Sequence, residues 1–303
     1  MKILIATKND EGMRLDKFLK KVLKNAPDSL IYKWIRKKRI KINSKSAKLN
    51  QRLFEGDEIS LYINDEFFKD APEVPAYFDV SRLSIAYEDE NIIVADKQGG
   101  LLCQPKPSNP QGENLEGYIK SYLYQKGEYL GEAENTFSPQ LCHRIDKNTA
   151  GLVIAAKNKE ALLIINEKLK NREIQKYYLL RAEGEFEKKQ GDICGYIKRD
   201  ERNNVSIFYE KFVPGAKKAV TSYKVLGNGL VLAELKTGRT HQIRASFAHI
   251  GHPLIGDVKY GAKPNDKNEY QQLLAAKIVF GFKTDAGILN YLIGKEVLSK
   301  QKI

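Results

Sequence analysis

Cysteine is scarce in this 303-residue sequence. The three present, Cys103, Cys142 and Cys194, are far apart and form no CxxC pair, so neither a disulfide framework nor a cysteine zinc site is supported. No run approaches 18 consecutive apolar residues, which excludes a membrane-spanning helix. The N-terminal MKILIATKNDEG passes from a short apolar start straight into charge. It lacks the apolar core and cleavage site of a secretory signal, so a cytoplasmic location is expected. Neither GxxxxGK[ST] nor GxSxG occurs, and Gly99-Gly100 is not a dinucleotide fingerprint, which argues against phosphate-cradling nucleotide chemistry. There is no internal repeat and no low-complexity tract.

What the sequence does have is positive charge, unevenly placed. The formal net charge is +13. Residues 1–48 carry 15 Lys and Arg against 4 Asp and Glu, whereas residues 49–70 carry 2 against 6. A concentrated excess of cations makes a polyanion the natural partner, with a solubilising surface as the alternative.

Leu15, Phe18, Leu19, Val22 and Leu23 recur at helical spacing and predict one amphipathic stripe. A second helix is predicted after Pro27, capped by Asp28 or Ser29, with Ile31, Trp34 and Ile35 on its apolar face. Lys33, Arg36, Lys37 and Lys38 fall largely off that face, Arg39 closes the element, and Lys41 lies in the alternating strand 40–43. A turn at Gly56-Asp57 leads to a strand through Ile59, Leu61 and Ile63. Residues 64–80, with Pro72 and Pro75, read as a linker. A larger region follows. Strands are predicted on both sides of the acidic turn in SIAYEDENIIVADKQGG, over 152–156, in IQKYYLLRAEG, and as a pair in TSYKVL and LVLAELKTG. Helices are predicted over 114–124 and after Asn158. Strands outnumber helices and several follow one another directly, which predicts an α+β fold with a mixed, largely antiparallel sheet.

All four histidines lie in two segments, His143 in HRIDKNTAGL and His241, His249 and His252 in TGRTHQIRASFAHIGHPLIGDVKYG. His249-x-x-His252 followed by Asp257 is the nearest approach to a metal-ligand set. With no HExxH, no acid at ligand spacing between the histidines and no cysteine partner, no metal is expected. Asp146 remains. A carboxylate just ahead of an apolar strand sits at the rim of a core. Buried alone it would lose its charge, but a neighbouring guanidinium from Arg144, Arg239 or Arg244 would keep it ionised and able to act as nucleophile or base. An Asp in DKNTAG equally suits a turn cap, and the residues by themselves leave both readings open.

Residues 14–63, in RLDKFL, IYKWIRKKRIKIN and EGDEI, resemble the S4-like RNA-binding domain. HRIDKNTAGLVIAAKN resembles the catalytic motif of pseudouridine synthases of the RluA/RluC/RluD type. IQKYYLLRAEG and LKTGRTHQIRASFAHIGHPLIGDVKYG resemble the next two motifs in order, and EDENIIVADKQGGLL stands in the place of the first. The resemblance implies an S4-like domain over 1–63, a linker over 64–80 and a catalytic domain of pseudouridine synthase fold over 81–303. It implies Asp146 as the catalytic carboxylate, Tyr178 against the target uracil, and Arg244 paired with Asp146. Arg144 would fill the RNA stack vacated by the base, and the apolar strand would fix acid and cation alike. His143, Lys33, Arg36, Lys37, Lys38, Arg39 and Lys41 are the further RNA-binding candidates. The implied reaction, an isomerisation of uridine, requires no cofactor, metal or obligatory protein partner.

The implied substrate is ribosomal RNA of the large subunit, free or in an assembling particle, because PDSLIYKWIRKKRIKIN is most similar to the RluC type. An RluD-like or transfer-RNA target, and a non-catalytic assembly factor retaining the fold, are the alternatives; a metal hydrolase is more distant. Three departures from the family pattern bear on substrate-facing detail. They are Lys97-Gln98-Gly99-Gly100 for Lys-Pro-x-Gly, Gln104 in place of His, and Leu274-Ala275-Ala276 for Leu-His-Ala.

Overall fold

The computed structural model describes residues 1–68, 78–129, 131, 134–264 and 270–303. Most of the expected linker, including Pro72 and Pro75, lies outside the described residues. The chain forms two compact units. One comprises Met1–Val80, Gly117–Gln140 and Lys157–Glu160; the other comprises Ser81–Glu116, Leu141–Ala156 and Ala161–Ile303.

In the first unit, β1 (Lys2–Ile5), α1 (Leu15–Val22), α2 (Asp28–Arg36), β2 (Ile40–Ile42), β3 (Lys45–Ser46) and β4 (Glu58–Leu61) follow in order. The strands pair antiparallel as β1-β4-β2-β3. The predicted stripes become its core. Leu15, Phe18 and Leu19 of α1 and Ile31 and Trp34 of α2 are buried against Ile40, Ile59 and Leu61. Two expectations need correction. Asp28 does not cap α2: Pro27 is the N-cap, no side chain caps the helix, and Asp28 stands in the first turn paired with Lys20. The first residues, read only for charge and targeting, form an edge strand. Gly117–Gln140 joins this unit through polar contacts. Asp10, wholly buried, accepts hydrogen bonds from Asn135 Nδ2 and Thr136 Oγ1, and Glu134 accepts from Thr7 and Asn9.

The remaining elements are β5 (Ile85–Glu88), β6 (Ile92–Lys97), α3 (Leu115–Gln125), β7 (Gln140–Leu141), β8 (Ala150–Ala156), α4 (Lys159–Lys170), β9 (Ile174–Arg181), β10 (Gln190–Asp200), β11 (Val205–Tyr209), β12 (Lys217–Gly227), β13 (Leu230–Leu235), α5 (Gln242–His249), β14 (Leu273–Phe280) and β15 (Glu296–Leu298). Among the described residues eleven strands form one sheet in the order β11-β10-β12-β13-β9-β14-β8-β6-β5, with β15 on β14 and β7 on β8. β8 and β14 pair in parallel, whereas the pairs β11-β10, β10-β12, β12-β13, β13-β9, β9-β14, β8-β6, β6-β5 and β14-β15 are antiparallel. The sheet is therefore mixed and largely antiparallel, as expected. The hairpin β10–β11 and helix α5 were not predicted.

Two cores line this sheet. Ile92, Val94, Leu152 and Ile154 pack with Ala161 and Ile165 of α4 and with Phe280 and Leu289. Leu180, Ala219, Val231 and Ala233 pack with Ile243 and Phe247 of α5. The central junction explains one glycine of the HRIDKNTAGL segment. At Gly151 the backbone takes φ +107, and a Cβ there would stand 2.3 Å from the Ala275 carbonyl oxygen and 2.7 Å from its nitrogen. Only glycine lets β8 and β14 approach at this point. Ala275 is also directly opposite Tyr178 of β9, so the same strand crossing carries the tyrosine.

Candidate active site

Asp146 stands in the loop before β8, not on a strand, which corrects the expectation that the apolar strand itself fixes the carboxylate. The loop is held from beneath. Lys97, at the end of β6 and 1% exposed, donates to the carbonyls of Gln98, Leu101 and Lys147 at 2.9, 2.9 and 2.8 Å. Burial pushes this lysine down to about 8. Gly100 N donates to the Lys147 carbonyl at 3.0 Å, and Thr149 N to the Asp146 carbonyl at 3.1 Å. Cys103 Sγ brackets Ile145, donating to its carbonyl and accepting from its amide. Each backbone polar group tied in this way fixes the loop from which Asp146 projects.

Facing Asp146 is the start of α5, locked to the sheet by Gln242. Its buried amide donates to Val220 O and Thr221 Oγ1 and accepts from Arg239 N and Thr237 Oγ1. Arg244 follows on the first turn. Its Nε and Nη2 make a two-pronged pair with Asp257, both at 2.7 Å, and its Nη1 reaches Asp146 Oδ2 at 3.4 Å. Its guanidinium lies 4.7 Å from the Tyr260 ring centroid. Burial works against the charge, but the bonds to Asp257 more than offset it, and the Arg244 pKa is raised. The Asp257 side chain is 1% exposed, whereas that of Asp146 is 26% exposed. The charge of Arg244 is thus balanced by one buried carboxylate, and its Nη1 is turned to a second, accessible one.

Asp146 and Arg244 open on a cavity of about 340 Å³, within the range that small-molecule sites occupy. Asp146, Tyr178, Arg244, Arg144 and His143 all line it. Tyr178 is buried, and burial with the nearby Asp146 charge raises its hydroxyl well above the ordinary range, so it stays protonated. Arg144 is exposed. Arg239, an alternative partner for Asp146 in the sequence, donates its Nε to the Lys218 carbonyl instead. His143 is present as a neutral ring. Burial, with the Lys176 charge adding to it, drives the imidazole far below its ordinary pKa, and Nε2 accepts from Ile154 N at 3.2 Å. Lys33, Arg36, Lys37, Lys38 and Arg39 are exposed in the first unit, and Lys41 is half-buried with its Nζ 5.4 Å from the Tyr62 ring.

The residues considered for a metal are engaged elsewhere. Asp257 belongs to Arg244, His252 stacks on Phe186 with centroids 3.9 Å apart, and His249 Nε2 lies 3.4 Å from Glu210. The sequence marked His241 only as one of the clustered histidines and Lys97 only within the first motif, with a site role for neither, and it missed Tyr260 and missed Asp257 as Arg244's partner. All but Lys97 lie in the GRTHQIRASFAHIGHPLIGDVKYG segment, whose density of polar side chains was the available signal.

The RNA pseudouridylate synthase family matches residues 91–249, which span every element that carries the cavity's main residues. The chain belongs to the RNA pseudouridylate synthase family. This pseudouridine synthase also matches the S4 domain over residues 13–59. It is 34% identical to an uncharacterized RNA pseudouridine synthase of Mycoplasma capricolum subsp. capricolum, over 97% of this chain and 96% of that one. It is 32% identical to ribosomal large subunit pseudouridine synthase C of Rickettsia bellii, over 99% and 98%, and 33% identical to ribosomal large subunit pseudouridine synthase D of Escherichia coli O6:H1, over 85% and 76%. The fold is similar to that of human RNA pseudouridylate synthase domain containing 1, with a TM-score of 0.56 and 23% identity over 74% of this chain and 85% of that one. The synthase isomerises uridine to pseudouridine and takes RNA as its substrate. Among the described residues no helix is long and apolar enough to cross a membrane.

Proposed function

We propose that the synthase acts on uridines of large-subunit ribosomal RNA with Asp146 as its catalytic carboxylate. The observation that carries the assignment is the carboxylate's position: open to the cavity, in company with Tyr178, and 3.4 Å from an arginine whose charge a second acid already balances. A uridine in folded RNA is inaccessible, so it must leave its stack at a cost of about a few kcal/mol. In this reading the extruded uracil lies against Tyr178, and the exposed Arg144 occupies the vacated place in the RNA. The reaction breaks the glycosidic N–C bond, turns the ring and rejoins it through carbon. It needs no group donor and no net redox change.

The choice of ribosomal RNA is supported by similarity along nearly the whole chain to a relative named for the large ribosomal subunit. Residues 1–63 act in this proposal as the RNA-binding domain and 81–303 as the catalytic domain, joined by the linker 64–80. Such a substrate places the enzyme in the cytoplasm.

Asp146→Asn should abolish isomerisation of ribosomal RNA while RNA affinity stays within about twofold, since one neutralised carboxylate removes no phosphate contact. Turnover near the wild-type rate would refute the assignment. Mapping pseudouridines in ribosomal and transfer RNA from cells lacking the gene tests the substrate. Loss at large-subunit positions is expected, and loss confined to transfer RNA would replace the target.

A further inference from the structure

His241 carries the most conspicuous backbone conformation in the site. It is the N-cap of α5 and takes φ 53, ψ 24, a left-handed geometry that a non-glycine residue keeps only where its surroundings fix it. What they fix is the ring. Nδ1 lies 2.7 Å from Tyr260 Oη and 3.4 Å from Arg199 Nη1, and Arg199 is bonded in turn to Asn204 beside the β10–β11 turn. Tyr260 Oη already accepts the Ser206 amide at 2.7 Å, so its own proton is available for Nδ1. A guanidinium can only donate. Nδ1 therefore faces two donors and must be the acceptor nitrogen. In the neutral ring the proton then stands on Nε2, and burial, which pushes His241 down to about 4, keeps the ring neutral at ordinary pH.

Nε2 points at the carboxylate, 3.8 Å from Asp146 Oδ2. The Arg244 contact to the same oxygen is long, at 3.4 Å, because the rest of that guanidinium belongs to Asp257. Two loosely engaged donors thus converge on Oδ2, and among the described residues Oδ1 receives neither. Contacts of this kind tighten when substrate fills a site. We propose that His241 is a positioning residue: with its proton fixed on Nε2 by Tyr260, it and Arg244 grip Asp146 Oδ2 and leave Oδ1 to meet the substrate. The proposal rests on Asp146 as the reacting carboxylate, but its first test does not.

That test is the tautomer. In full-length 15N-labelled protein, two-bond 1H–15N correlations of the four imidazoles, with His241 assigned by the signals lost in His241→Gln, should show His241 protonated on Nε2. Tyr260→Phe, which keeps the ring under Arg244, should lose that single-tautomer pattern. A wild-type His241 protonated on Nδ1 overturns the proposal whatever the activity of Asp146→Asn.

Kinetics on transcribed large-subunit RNA give the second test. His241→Asn and Tyr260→Phe should each lower kcat about tenfold to a hundredfold with KM unchanged, as expected for a misaligned reacting group. The double variant should be no slower than His241→Asn, because both act through one contact. His241→Gln, whose amide nitrogen reaches the place of Nε2, should recover activity that His241→Phe does not. Effects that multiply, or a Gln variant as slow as Phe, would leave His241 with a merely structural role.

Discussion

Arg244 divides one cation between two acids, and the division is unequal. Asp257 receives two short, charge-assisted bonds in a buried setting, and Asp146 receives one long bond at the cavity. Breaking a buried pair from either side leaves an uncompensated charge and costs roughly 3–5 kcal/mol. Asp257→Ala should therefore lower unfolding stability by about that amount, and Arg244→Met by a similar amount. Both should also be inactive, since Asp146 loses a held partner. Urea unfolding at pH 7 reads the stability; a loss below about 1 kcal/mol in Asp257→Ala would show the pair to be a minor contact. At this scale the sequence was informative about which residues meet but not about how they share bonds. Asp146, Tyr178 and Arg244 are read in separate motifs, and all three line one cavity. That Arg244 belongs first to Asp257, 13 positions downstream, depends on how the chain returns after α5, which no spacing rule encodes.

At the scale of elements, legibility followed periodicity. Helix α1, with Leu15, Phe18, Leu19 and Val22 buried, and strand β8, buried from Gly151 to Ala156, carry patterns that one solvent-facing or two buried faces impose. Helix α5 carries no stripe, because Gln242, Arg244 and Ser246 are buried along with Ile243, Ala245 and Phe247. Strand β1 is an exposed edge whose pairing with β4 comes from backbone bonds, and nothing in Lys2–Ile5 alternates with burial. Gly151 is where the packing is least forgiving. Gly151→Ala should cost about 3 kcal/mol or more, because backbone strain adds to a clash with backbone atoms that cannot move aside. It should also slow catalysis by shifting β14 and, across it, Tyr178. Thermal unfolding tests the first effect, and a variant as stable as wild type would show that β8 and β14 have room to separate.

A second element junction has a pH signature. Glu173, at the entrance to β9, accepts from the backbone of Lys283 and Thr284 and from Lys168 Nζ. The Lys283 amide first, then the Lys168 ammonium and Thr284, hold its carboxyl at about 2, below the ordinary 4.5. A depressed acid contributes stability that is fully present above the unfolded value and is lost as pH falls toward the folded one. The stability difference between wild type and Glu173→Gln should therefore be largest above about pH 4.5 and shrink as pH drops toward 2. Urea midpoints across that range test this, and a constant gap would show that the charge of Glu173 does not carry the effect of the substitution.

For the whole molecule, charge placement makes the sharpest demand. The first 48 residues hold most of the net positive charge, and the S4 domain match, which starts at residue 13, takes in 13 of their 15 Lys and Arg. Some of those cations have a structural use: Lys33 and Arg36 stand in the last turn of α2, where the helix dipole favours them. That contribution is at most about 1 kcal/mol at an exposed site and leaves the side chains free to meet phosphate. If they do, each contact displaces condensed counterions, and the logarithm of affinity falls with the logarithm of salt by roughly 0.7 to 0.9 per phosphate. Replacing Lys33, Arg36 and Lys37 together by Gln should weaken RNA binding and flatten the slope by about 2 to 3. The kcat at saturating RNA should stay near that of wild type, because none of the three lines the Asp146 cavity. Binding isotherms between about 50 and 200 mM salt supply the slope. An unchanged slope with weakened helix stability would mean that these side chains serve α2 and not the RNA, and the polyanion would then have to be held by cations elsewhere in the chain.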